Sequence, residues 1–154
     1  MLDLVFPRRC AICGNICIPK EHMVCRECQS KPLIIREPRC KKCSKPIASG
    51  ELEYCYDCDS KEFHYSRGIS LWLYDEVMKQ SIIRFKYKGC KEYVNFYVDE
   101  IVKHLGDEIR MITPDVLLPV PVHKTRQRQR GYNQAELLAE ELGRQLNIKV
   151  KTDV

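Results

Sequence analysis

No stretch of this 154-residue chain approaches the ~18 consecutive apolar residues that a membrane-spanning helix needs. The first nine residues lack a basic n-region, and their apolar run is too short for a secretory signal. Those absences argue against a bilayer span and signal-directed export, and they make the cytoplasm the expected compartment. A strong net charge is missing as well. The formal +5 counts every cysteine as neutral, and a zinc ion held by four thiolates carries a net −2. Two such sites would leave the chain at roughly +1, so global basicity is a weak pointer to nucleic acid and local clustering a better one. With 44% hydrophobic and 31% charged residues the composition is that of a globular chain.

Cysteine is the residue in excess. Ten are present, and in a reducing compartment they point to metal rather than to disulfides. Eight fall into four Cys-x-x-Cys pairs with an identical gap between successive pairs: Cys10/Cys13, Cys25/Cys28, Cys40/Cys43 and Cys55/Cys58. Such a turn aims two sulfurs at one tetrahedral ion, and two turns complete the shell. Even spacing alone leaves open whether pairs are used in sequence or interleaved. An internal repeat favours sequence: residues 10–28 align without gaps on residues 40–58, placing Glu21 over Glu51 and Val24 over Tyr54. The expected sets are therefore Cys10, Cys13, Cys25, Cys28 and Cys40, Cys43, Cys55, Cys58. With all four positions filled, each zinc is expected to be structural. About 50 residues bury too little apolar surface to fold alone, so folding and metal loading should be one event. Arg8, Arg9, Arg26, Lys41 and Lys42 flank the thiolates, whereas Cys17 and Cys90 stand outside the ladder and read as packing residues.

After Cys58 the pattern changes, which divides the chain into a module at residues 1–60 and a second at 61–154. Ile69, Leu71 and Leu73 alternate as in a strand. From Asp75, a candidate N-cap, Val77, Met78, Ile82 and Phe85 follow a helical period that stops at Gly89. A second helix is expected with Val94, Val98, Ile101, Val102 and Leu105 inward and Gly106 after it. Residues 115–122 form a continuous apolar run ending in Pro119 and Pro121, as in a strand buried on both faces of a parallel sheet. A basic loop follows, including His123, Lys124, Arg126, Arg130 and Gly131, and then a helix capped by Asn133 with Glu136 in capping-box position. Ile148 and Val150 begin another strand. The fold class this implies is α/β, with a small zinc-bearing module in front.

A basic loop at a strand end, feeding a helix N-terminus, is suited to phosphate. The bland alternative is a solvated surface loop. A second cluster, Arg84, Lys86, Tyr87 and Lys88, mixes cations with an aromatic ring, as grooves for single-stranded nucleic acid do. The alternative there is the wet face of a helix.

The whole chain resembles the N-terminal two-thirds of ComF family proteins, which are associated with bacterial competence and DNA uptake. Three features in order carry the resemblance: the double zinc-ribbon cysteines; Phe85-Lys86-Tyr87-Lys88-Gly89; and Leu118-Pro119-Val120-Pro121-Val122-His123 followed by Arg126 and Arg130-Gly131-Tyr132-Asn133-Gln134. Tyr132 stands where the family often has phenylalanine. The resemblance implies a type I phosphoribosyltransferase-like sheet behind the zinc module, here incomplete. It also implies a pyrophosphate loop with His123 and Lys124 near the phosphates, Arg126 and Arg130 adding charge, and Gly131 allowing close approach. Phosphoribosyl pyrophosphate and Mg²⁺ are expected only for a complete enzyme of that class. Its signature, an apolar strand ending in two acidic residues before a Thr/Gly-rich loop, is not found in the 154 residues. A C-terminally truncated chain, inactive alone and with no assignable catalytic residue, is therefore the expectation. Three roles follow: a competence factor holding single-stranded DNA beside DNA-uptake proteins, a phosphoribosyltransferase fragment, or a zinc-stabilised protein-interaction module.

Overall fold

The structure is a computed structural model that describes residues 7–18 and 21–152; the apolar start at residues 1–6 lies outside that description. The sequence repeat reappears as a repeat of hydrogen bonds. Gly14 N–H donates to Cys10 O, and Ser44 N–H to Cys40 O, each at 2.9 Å. Ala11 N–H donates to Met23 O and Lys41 N–H to Glu53 O, again both at 2.9 Å. Antiparallel bridges join Arg9 to Ile16 and Arg39 to Pro46. Each knuckle needs a left-handed residue, supplied by Gly14 at φ 79° and Ser44 at φ 62°. The second cysteine pair of each unit opens a short helical turn, 3₁₀ at Arg26–Cys28 and α1 at Tyr56–Ser60.

Beyond the ribbons, the strand expected around Ile69–Leu73 shrinks to one antiparallel bridge, Ile34 to Trp72, with Ile35 N–H donating to Leu71 O and Leu73 N–H to Leu33 O. Its partner segment follows Pro32 directly, which leaves few ladder donors. Helix α2, Glu76–Tyr87, begins where Asp75 accepts from Met78 N–H at 2.9 Å. It buries Met78, Ser81 and Phe85, the i, i+3, i+7 stripe of one face.

Helix α3 runs Tyr93–Ile112 and so continues through Gly106, the residue expected to stop it. Gly106 is buried within it, and the end comes at Thr113, left-handed at φ 50°. The following residues are good helix formers held by an Arg110–Asp107 pair, and Glu108 is gripped by Arg39 at the start of the second ribbon and by Arg67 just beyond it. Tertiary partners thus outweigh one glycine's propensity cost of about 1 kcal/mol.

The Pro-rich run yields only β1, Val116–Leu117, which pairs in parallel with β2, Lys149–Val150, in register Val116 to Lys149 and Leu117 to Val150. The expectation of a strand buried on both faces is not met: Val120 is 75% exposed and Leu118 55%. Pro119 and Pro121 lack the N–H a ladder needs, and among the described residues β1 has a partner on one edge only. A parallel pair requires a crossover, here supplied by α4 (Lys124–Arg130) and α5 (Gln134–Leu146). Asn133 caps α5 by accepting from Ala135 N–H at 3.0 Å. The architecture is therefore an incomplete α/β unit behind two zinc-ribbon knuckles.

The hydrophobic core does not stop at residue 60. Cys10, Ala11, Ile12, Cys17, Val24 and Cys28 pack in one cluster with Met78, Phe85, Cys90, Tyr93, Tyr97 and Tyr132. Among the described residues no helix is long and apolar enough to cross a membrane.

Candidate metal centres and cationic face

The eight sulfurs gather into two tetrads, Cys10, Cys13, Cys25, Cys28 and Cys40, Cys43, Cys55, Cys58, within each of which all ligand atoms lie inside 4.8 Å of one another. Pairs are thus used in sequence. A tetrahedral ion with Zn–S near 2.3 Å has a sulfur–sulfur edge of about 3.8 Å. Cys13 and Cys25 sulfurs are 3.9 Å apart, and Cys43 and Cys55 sulfurs 3.7 Å. The donor set, its spacing and its enclosure fit Zn²⁺.

Protonation within each tetrad is uneven. Burial pushes the Cys10 thiol up, but N–H groups of Cys13, Cys25 and Ile12 outweigh it and hold Cys10 at about 7. Cys25 N–H lies 3.4 Å from that sulfur. Cys40 is treated alike: burial raises it, and N–H groups of Cys55, Cys43 and Lys42 bring it to about 6. Cys28 and Cys58 go the other way, pushed to about 12 by burial and then by the neighbouring thiols. One thiolate per site is prepared by the backbone, and the last needs a cation. Cys17 is fully buried, and its thiol is raised by burial and then by charge at Cys10, Cys25 and Cys13.

The second site was expected as a basic loop. It is a helix: α4 starts at His123, whose Nδ1 accepts from Thr125 N–H at 3.3 Å, and ends at Gly131, left-handed at φ 76°. Residues 124–130 contain no Gly, Pro or β-branched residue except Thr125, and Lys, Arg and Gln are good helix formers. His123, Lys124, Arg126 and Gly131 are exposed, whereas Arg130 is half-buried.

The two basic clusters, read separately in the sequence, meet here. Arg130 lies over the Tyr87 ring, with its guanidinium carbon 4.6 Å from the centroid. Its Nη2 donates to Tyr87 Oη and its Nη1 to Gln134 Oε1, both at 2.8 Å. Lys91 Nζ sits 4.9 Å from the Tyr132 ring centroid. Among the described residues, Lys86, Lys88, Lys91, Lys124, Arg126, Arg128 and Arg130 make no carboxylate ion pair. The ribbon lysines differ, since Lys41 pairs with Glu53 and both Lys45 and Lys61 pair with Asp57.

Arg84 does not join Lys86, Tyr87 and Lys88 on that face. It points to the first ribbon, donating from Nη2 to Ile12 O, because the helical period sets residue 84 nearer the buried stripe of residues 81 and 85. Ser81 escaped the sequence reading. Its one signal was a hydroxyl at the apolar spacing of Met78 and Phe85.

Taken together, the chain is a double-knuckle zinc protein joined to part of an α/β domain. Residues 1–59 match the Double zinc ribbon domain family. The chain is 33% identical to "Competence protein ComFC" of Bacillus subtilis, across 80% of this chain and 53% of that protein. It is 32% identical to "Competence protein F" of Haemophilus influenzae, across 93% of this chain and 62% of that protein. These matches support a ComF-family assignment. It spans between half and two-thirds of the length of these relatives. No solved structure matches it.

Proposed function

We propose that this is a competence protein that holds single-stranded DNA on the face formed by α4 and the end of α2, in the cytoplasm and beside other DNA-uptake proteins. The observation that carries this reading is the Arg130–Tyr87 stack, which joins two basic segments into one face without a neutralising carboxylate among the described residues. Cations supply affinity for phosphates, and exposed rings offer bases a stacking surface. The names of the two relatives, both competence proteins, support the biological setting.

In this reading the zinc ions bind no substrate. Each tetrad is closed, so the metals supply fold, and residues 1–60 form a module that supports residues 61–154. Lys86, Tyr87 and Lys88 contribute from α2, while His123, Lys124, Arg126, Arg130 and Gly131 contribute from α4 and its ends. The test is fluorescence anisotropy with an oligo(dT) probe across a salt series. Binding that weakens with salt supports the reading, and no binding at low salt refutes it.

A second reading has an observation of its own: a parallel β1–helix–β2 unit places its basic helix after the strand, as phosphate-binding α/β proteins do. By family resemblance the same residues would then hold phosphoribosyl pyrophosphate, with Mg²⁺, in a complete enzyme. Pyrophosphate exchange catalysed by the purified 154-residue chain would favour this second reading over the first.

A further inference from the structure

The two knuckles are one device attached to the molecule in two ways. The first is embedded. Ala11 is fully buried and Ile12 nearly so, and α2 grips the carbonyls of both. Ser81 Oγ donates to Ala11 O at 2.5 Å and meets Tyr97 Oη at 2.7 Å. Since the serine proton is committed to the carbonyl, Tyr97 donates in the second bond. Arg84 Nη2 donates to Ile12 O, and its stem covers Gly14, where a Cβ would lie 2.8 Å from Arg84 Cδ. A side chain at residue 14 would therefore crowd the arginine stem, a contact that the equivalent Ser44 of the second knuckle does not face.

The second knuckle is attached by polar groups. Arg39 and Arg67 both reach Glu108 on α3, Ser44 Oγ donates to Gly68 O at 2.8 Å, and Gly68 N–H donates to Lys42 O. No residue between 40 and 58 belongs to the core cluster.

From the first knuckle, contacts continue to the cationic face. Arg84 is followed in α2 by Phe85, whose carbonyl accepts from the buried Tyr132 hydroxyl. Phe85 and Tyr132 rings pack at 6.0 Å, and Tyr132 stands two residues from Arg130, which lies on Tyr87. We propose that the first tetrad, and not the second, sets the geometry of the cationic face, with Ser81 and Arg84 as the positioning residues. If the four sulfurs are not drawn together, the Ala11 and Ile12 carbonyls lose their fixed positions. Ser81 then keeps only Tyr97 as a partner and the half-buried Arg84 loses the acceptor of its Nη2, a cost that is relieved by moving α2. This goes beyond nucleic-acid binding and holds whatever the face binds.

Cys13 and Cys43 occupy equivalent, half-exposed positions in the two units, which makes a matched pair of variants. The test is hydrogen exchange by mass spectrometry on the full zinc-loaded chain without nucleic acid, with zinc counted in each sample. Cys13→Ser should speed exchange across residues 85–91 and 130–134 by about tenfold or more, while Cys43→Ser leaves those peptides unchanged. Equal effects from the two variants, or unchanged exchange in Cys13→Ser after loss of its zinc, overturn the proposal. Should Cys13→Ser unfold outright, Arg84→Met decides. Faster exchange in the same peptides, with two zinc ions retained and residues 40–58 unaffected, supports the positioning role, and Arg84→Lys should partly restore protection by reaching the same carbonyl. Unchanged or uniformly raised exchange in Arg84→Met overturns it. Because no ligand is used, a failure of oligonucleotide binding would sink the preceding reading alone.

Discussion

Arg130 lies over the ring of Tyr87, 43 residues earlier in the chain, and also donates a hydrogen bond to its phenolic oxygen. The arrangement covers one ring face and leaves Tyr87 60% exposed for a base to stack. Tyr87→Ala should cost about 1–3 kcal/mol of oligonucleotide affinity, the usual worth of one stacked base. Tyr87→Phe keeps the ring and loses only the bond from Arg130, so its affinity should stay close to that of the parent chain. Titrations by anisotropy at a single salt concentration distinguish the two.

Charge is tested separately from stacking. Each phosphate contacted on a single strand adds about −0.7 to the slope of log affinity against log salt. Replacing Lys86, Lys88, Arg126 and Arg130 together by glutamine should flatten that slope by about 3. The same change at the ion-paired Lys41, Lys45 and Lys61 of the second ribbon should leave it unaltered. Flattening by the ribbon set alone would place the nucleic acid on the ribbons, and equal flattening in both sets would contradict a site confined to the α2–α4 face.

Helix α5 meets β2 at Gly143. A Cβ there would lie 2.5 Å from Val150 Cγ2 and 2.7 Å from Ile148 O. Helix propensity alone predicts that Gly143→Ala gains about 1 kcal/mol. The close approach predicts the opposite, a loss of about 1–3 kcal/mol through overpacking. Urea denaturation gives the sign directly.

Glu108 receives both Arg39 and Arg67, so Glu108→Gln should loosen the attachment of the second ribbon. The arginines retain access to water, which keeps the expected cost to about 1 kcal/mol. Limited proteolysis should show faster cleavage near residues 61–67 with both zinc ions still bound.

What the sequence revealed was what local chemistry determines. Asp75 and Asn133 are caps in both readings, because a short polar side chain before an apolar period has few other uses. The gap-free repeat announced which cysteines come together. Gly106 misled because its neighbour Glu108 is held by arginines 69 and 41 residues away, and no local pattern records that. Residues 124–130 looked like a loop because they are all polar, although their helix propensity was good and Gly131 marked the stop. The Arg130–Tyr87 contact and the bonds from Ser81 and Arg84 to the first knuckle are products of tertiary packing. Sequence periodicity could show that residues 81 and 84 lie close to an apolar stripe, but not what they would touch.

Two metal centres made of eight sulfurs underlie all of this, and elemental analysis of freshly purified, unstripped protein tests them most directly. The account predicts close to two zinc atoms per chain, falling to about one in either Cys13→Ser or Cys43→Ser. Metal-free protein that keeps its fold, or eight sulfurs recovered as disulfides, would contradict it.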